Sequence, residues 1–196
     1  MPDSMPHIYA EIFLILDFRI VILSMLLFFI GYALAPTAHF KNIKWLTAYP
    51  FFILKLMDKY FKFHWPTQKI FAIIFLLNSF SLFLNLLSGW GIIAPFFFII
   101  YLGINIGIIM YHTLQGRFYF LSLFNPVALF ELPAAWLSIA MAIQFSLTRF
   151  FHVGHISQVS FPRYMIYFLV TVLPLLFIAG IIETYLIVQG RKKDED

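Results

Sequence analysis

Runs of about 20 apolar residues, the length a helix needs to cross a bilayer core, recur five times in this chain. They fall at roughly 17–36, 70–88, 91–113, 121–148 and 164–189. With 62% hydrophobic and 11% charged residues, against about 25% charged in soluble domains, the chain reads as an integral membrane protein. The expected fold is all-α and polytopic, a single membrane domain over residues 1–196 with no room for a separate soluble module. The absence of cysteine excludes disulfides, thiolate metal sites and cysteine nucleophiles. A net charge of +4 is modest, and nothing resembles a nucleic-acid-binding surface. The first sixteen residues lack the basic region of a signal peptide, so the amino terminus is expected to be retained.

Between the first two runs lies a piece of different character, "FKNIKWLTAYPFFILKLMDKYFKFHWPTQK". After Pro50, Lys55, Asp58, Lys59 and Lys62 recur at helical spacing on one face, while phenylalanines, leucines and an isoleucine fill the other. That pattern predicts an amphipathic helix over about 51–63 lying on the membrane surface. Trp45, Tyr49, Tyr60 and Trp65 suit the interfacial belt.

Five crossings put the two termini on opposite sides. One side receives Lys41, Lys44, Lys55, Lys59, Lys62, Lys69, Arg117, Arg191, Lys192 and Lys193; the other receives Arg19, Arg149 and Arg163. Positive charge concentrates in cytoplasmic loops. The expectation is a multi-pass protein of the cell membrane, with the amino terminus outside and the carboxyl terminus and surface helix cytoplasmic.

The polar residues inside the spans are few and patterned. In span two Asn78, Ser81, Asn85 and Ser88 step by three, four and three, onto one helix face. Span three carries "GINIG", where Gly103 and Gly107 flank Asn105 and permit close backbone approach. Glu131, Ala135, Ser138 and Ala142 form a stripe on span four, and Ala179 precedes Glu183 by one turn on span five. One reading is that these stripes are where helices touch, because lipid supplies no hydrophobic drive for association. The other comes from depth. Counted from the flanking charges at 1.5 Å per residue, Asn78, Asn105, Glu131 and Glu183 all lie about 12–20 Å from the cytoplasmic boundary. An ionisable residue at such depth is a functional candidate.

The segment "NPVALFELPAAW" places Glu131 between two prolines. Asn125 followed by Pro126 reads as a helix cap with proline at the first position. The aromatic stretch "RFYFLSLF" before it either re-enters the membrane or lies in its interface. Pro133 should free the Leu129 carbonyl and break span four. Loose backbone is tolerated in a membrane where protein buries it, so Glu131 is expected to face the bundle interior, protonated and hydrogen-bonded near Asn78, Asn105 or Glu183.

These residues resemble a known family. "PVALFELP" (126–133) is similar to the pattern P-H-G-x-x-E-x-P of the stage II sporulation protein M family, with Val127 and Ala128 where the family usually has His and Gly. "LFIAGIIETYL" resembles its closing helix, and the stretch 75–107 resembles its preceding helix pair. The resemblance covers about residues 70–189. It implies that Glu131 and Glu183 fall on the family's two membrane glutamates, and Asn78 and Asn105 on its asparagines. It also implies an integral membrane scaffold that works through membrane or cell-envelope protein partners, with no cofactor.

Intramembrane catalysis finds no support in the residues. The chain has no H-E-x-x-H helix, no aspartate in a later span and no serine in a G-x-S-x-G setting. His152 and His155 have a spacing compatible with two metal ligands, but two histidines do not complete a zinc site. No metal is therefore expected. The rival to a scaffold is a small cation or proton channel or transporter that uses the glutamate and asparagine layer. It would need a continuous wet path, and no inverted repeat is evident. A homo-oligomer could supply one, with "GINIG" as a contact.

Overall fold

The computed structural model describes residues 16–61, 65–151 and 160–195. His152 and His155, together with Lys62, lie outside the described residues. Among the described residues the chain is helical, and five helices are long and apolar enough to cross a membrane.

The first, α1 (Phe18–Phe40), is capped by Asp17, whose Oδ1 accepts from the Arg19 amide at 2.9 Å. Asn42 adopts a φ of 46°, and the chain turns into α2 (Lys44–Phe61). Helix α2 begins earlier than the predicted 51–63 and runs through Pro50. Leu46, Thr47 and Pro50 are buried, whereas Trp45, Tyr49 and Phe52 remain exposed, as an interfacial helix requires. Helix α3 (Thr67–Leu87) ends in a 3-10 turn, Ser88–Trp90, and leads into α4 (Ala94–Leu114) with Pro95 in its first turn.

After α4 the backbone reverses sharply. Gln115, Gly116 and Phe118 all have positive φ, and a short 3-10 helix, Phe120–Phe124, follows. Helix α5 (Ala128–Phe151) therefore starts about two turns later than the predicted 121, because the 121–127 stretch is spent on this turn and its cap. The last helix, α6, has three joined pieces: Phe161–Tyr167, a π-helical turn Phe168–Val172, and Leu173–Glu195. In the π turn the Thr171 hydroxyl donates to the Tyr167 carbonyl at 2.6 Å.

Helix α5 is the axis of the bundle. Two thirds of its apolar span (67%) is buried, against 28–39% for the other four. On one side it packs on the pair α1–α4, through Phe28, Tyr32, Ile99, Ile139 and Ile143. On the other it packs on the pair α3–α6, through Leu82, Leu86, Met141, Tyr167 and Val172. The α1–α4 contact is the tightest. A Cβ on Gly31 would collide with the Ile100 carbonyl, and one on Gly103 with the Phe28 carbonyl. Gly107 meets the Ala35 methyl and the Tyr119 hydroxyl in the same way. The small-residue pair of span three thus serves a contact inside the chain.

Candidate functional site: an intramembrane carboxyl layer

The Asn78 side-chain amide donates to Glu131 Oε1 at 2.6 Å, joining α3 to the first turn of α5. Asn78 sits eleven residues into α3 from Thr67, about 16 Å along the helix at 1.5 Å per residue. Glu131 shares that depth although it opens its own helix, because the chain has already descended before α5 begins.

The descent rests on two tyrosines. Tyr119 Oη donates to the Tyr32 carbonyl at 2.5 Å, and Tyr32 Oη donates to the Tyr119 carbonyl at 2.8 Å. Their rings stack with centroids 4.4 Å apart. Ser122 Oγ lies 3.0 Å from Tyr32 Oη and donates to the Tyr119 carbonyl at 2.6 Å. Since Tyr32 is eight residues from the end of α1, the turn is held about 12 Å below that end. Residues 118–125 thus pack against α1 well inside its end.

Asn125 then starts α5. Its Oδ1 accepts from the Ala128 amide at 2.8 Å and its Nδ2 donates to the Ser122 carbonyl at 2.7 Å. Pro126 follows within the cap. Pro133 lies inside α5, which continues through it without interruption. The discontinuity of this span falls before Ala128 and not at Pro133, because three positive-φ residues and a cap have already redirected the backbone.

Two cavities meet at Glu131. A smaller one of about 70 Å³ is lined by Asn78, Ser81, Leu82, Glu131 and Ala135 among others. A larger one of about 270 Å³ is lined by Ser122, Asn125, Glu131 and Glu183, with Ile106, Ile109 and Met110 as apolar wall. Three members of the expected layer, Asn78, Glu131 and Glu183, thus converge. Asn105 does not line either cavity. It is buried beside Gly103 and Gly107, with its Oδ1 unpaired. Asn85 is buried one turn beyond Ser81, with its Nδ2 unpaired.

Toward the other end the bundle is tied and filled. Ser138 Oγ donates to the Leu82 carbonyl at 2.7 Å and Ser146 Oγ to the Gly91 carbonyl at 3.0 Å. Arg149 stacks over Trp90 at 4.3 Å. Met141, Tyr164, Tyr167 and Phe168 occupy the interior there. At the lysine-rich end Arg191 Nη1 donates to the Trp65 carbonyl at 3.4 Å, and Lys69 lies 4.1 Å over the Trp65 ring. His112 faces His39 across 5.6 Å, and Phe51 of α2 packs against both rings. Among the described residues no group of three or more His, Asp or Glu could hold a metal ion.

A family model described as stage II sporulation protein M matches residues 20–186. The chain belongs to the stage II sporulation protein M family. The match runs from the first turn of α1 to just past Glu183, so it takes in the carboxyl layer, the three middle spans and most of the first and last. Comparison with curated proteins found no match, and comparison with solved structures found none either. Val127 and Ala128, at the His and Gly positions of the sporulation protein M pattern, both line the larger cavity. Where the pattern has an imidazole, this member has a valine methyl surface.

The tyrosine lock escaped the sequence reading. Its signal was available: Tyr32 lies too deep in span one for the interfacial belt, and a buried tyrosine hydroxyl needs a hydrogen-bond partner.

Proposed function

We propose that this chain is a non-enzymatic membrane scaffold that acts through protein partners in the membrane or cell envelope. The bond from Asn78 to Glu131 carries this reading. It commits a membrane carboxyl to holding two spans together. Other inter-element bonds do the same work, among them Tyr32 with Tyr119, Ser138 with the Leu82 carbonyl, and Ser146 with the Gly91 carbonyl. Such a bundle keeps a fixed shape, and its exterior offers large apolar side chains such as Leu77, Phe97 and Ile178 to lipid or to another membrane helix. The lysine-rich end with α2 faces the cytoplasm in this account, and the amino terminus faces outward.

The scaffold reading is tested by photo-crosslinking in the native membrane, with a photoreactive residue at Leu77, Phe97 or Ile178 in turn. The expected outcome is a discrete protein adduct from one face. Adducts with lipid alone from every face would contradict it.

One observation favours a second reading, a small cation or proton channel or transporter. Glu131 and Glu183 line one cavity, and Glu131 carries it on to a second that reaches Ser81. Against that reading, Leu86, Met141, Tyr164 and Tyr167 fill the opposite half of the interior, each 2% exposed or less.

A further inference from the structure

The larger cavity holds more than its own chain can satisfy. It receives one carboxyl from α5 and one from α6, Glu131 and Glu183. Glu131 has the Asn78 amide as a donor. Glu183 has no hydrogen bond to a described residue. The donors nearby are engaged elsewhere in part, since the Asn125 amide bonds the Ser122 carbonyl through one of its two N–H groups and the Ser122 hydroxyl bonds the Tyr119 carbonyl. Among the described residues no lysine, arginine or histidine lines either cavity. A partly buried carboxyl at this depth gains from donors or an opposite charge, and among the described residues Glu183 has no hydrogen bond and no cation beside it.

The shape of the space narrows what would supply them. The cavity measures about 270 Å³; at ~30 Å³ for each water-sized group it takes roughly nine non-hydrogen atoms. A bare inorganic cation would leave most of that volume and the Ile106, Ile109 and Met110 wall unused. A neutral apolar molecule would leave Glu183 unpaired.

We propose that the cavity binds one ammonium or guanidinium group carried on a short apolar stem. The cation lies against Glu183 and Glu131, and the stem runs along Ile106, Ile109 and Met110. The group has two sources of the same chemistry: a lysine or arginine side chain on a partner's membrane segment, or a free small organic cation. The first source rests on the scaffold reading; the second does not.

The test uses the full chain in lipid nanodiscs, titrated with butylguanidinium, with its neutral counterpart butylurea, and with potassium chloride. Butylguanidinium is expected to raise the unfolding temperature saturably, and the other two to leave it unchanged. Glu183→Gln should weaken butylguanidinium at least tenfold. Met110→Trp, which fills the apolar wall and touches no carboxyl, should do the same in a protein whose helical spectrum is intact. Equal binding of butylurea, or full binding by both variants, would overturn the proposal, and so would an absence of butylguanidinium binding. A second arm measures energy transfer to a single-span apolar peptide with one arginine, against its glutamine version. Transfer specific to arginine and competed by butylguanidinium assigns the site to a partner's side chain. Butylguanidinium binding with no preference for the arginine peptide assigns it to a free organic cation, which sustains the site and removes its support for the scaffold.

Discussion

The Asn78 amide and the Glu131 carboxyl, 53 residues apart in the chain, meet at 2.6 Å between α3 and α5. Both the position of the glutamate and the company it keeps follow from that contact. Glu131 stands at the start of its helix, where a shallow location would be expected, yet it reaches the level of a residue midway through α3. The turn before α5, held against Tyr32 well inside α1, accounts for the difference.

Replacing Glu131 separates its hydrogen bond from its ionisable group. Glu131→Gln keeps an oxygen for the Asn78 amide, so its cost should stay below about 0.6 kcal/mol, the usual size of a whole hydrogen bond between membrane helices. Glu131→Leu leaves the amide unpaired and should cost about 1–3 kcal/mol. Thermal unfolding in one detergent compares wild type with both variants. Equal midpoints for all three would remove the bond from the account.

The tyrosine lock should behave as a coupled pair. Tyr32→Phe loses its bonds to the Tyr119 carbonyl and Ser122, and Tyr119→Phe loses the bond to the Tyr32 carbonyl. Each should cost about 1 kcal/mol, and the double variant less than the sum, because the two rings hold one turn. Hydrogen exchange over residues 117–125 should accelerate in both single variants. Unchanged exchange there would mean that the turn is held by something else.

Glycine substitutions should divide by location. Gly103→Val places a side chain against the Phe28 backbone and is expected to prevent folding or cost several kcal/mol. Gly190 has nothing within 4 Å, so Gly190→Ala should be neutral or stabilise by roughly 0.5–1 kcal/mol through helix propensity. Yield and unfolding temperature read both effects. A tolerated Gly103→Val would contradict the close α1–α4 contact.

Topology is open to direct labelling because the native chain has no cysteine. In intact cells an impermeant maleimide should modify Ser160→Cys and leave Lys55→Cys unmodified until the membrane is opened. The reverse pattern would invert the proposed orientation.

The spans were legible because a run of about 20 apolar residues has few other uses, and α2 because its lysines fall on one face. Counting residues from flanking charges put Asn78, Asn105, Glu131 and Glu183 at one level, and the structure joins Asn78 to Glu131 and sets Glu131 and Glu183 on one cavity. Counting gives height and not bearing, which is why Asn105 joined the list although its side chain lies away from both cavities. The same limit applies to Gly103 and Gly107. Their spacing announces a close helix contact without saying that the partner is α1 of the same chain. The start of span four was misjudged because "LSLFN" is as apolar as a helix, and its 3-10 path depends on positive-φ residues upstream and on tertiary bonds from Tyr32.

The central claim is that the carboxyl layer holds the bundle together and does not conduct. Proton and monovalent-cation flux into proteoliposomes, compared between wild type and the Glu131→Gln, Glu183→Gln double variant, tests it most directly. The account predicts no flux above empty liposomes for either protein. Flux through wild type that disappears in a folded double variant would make the layer a pathway and contradict the account.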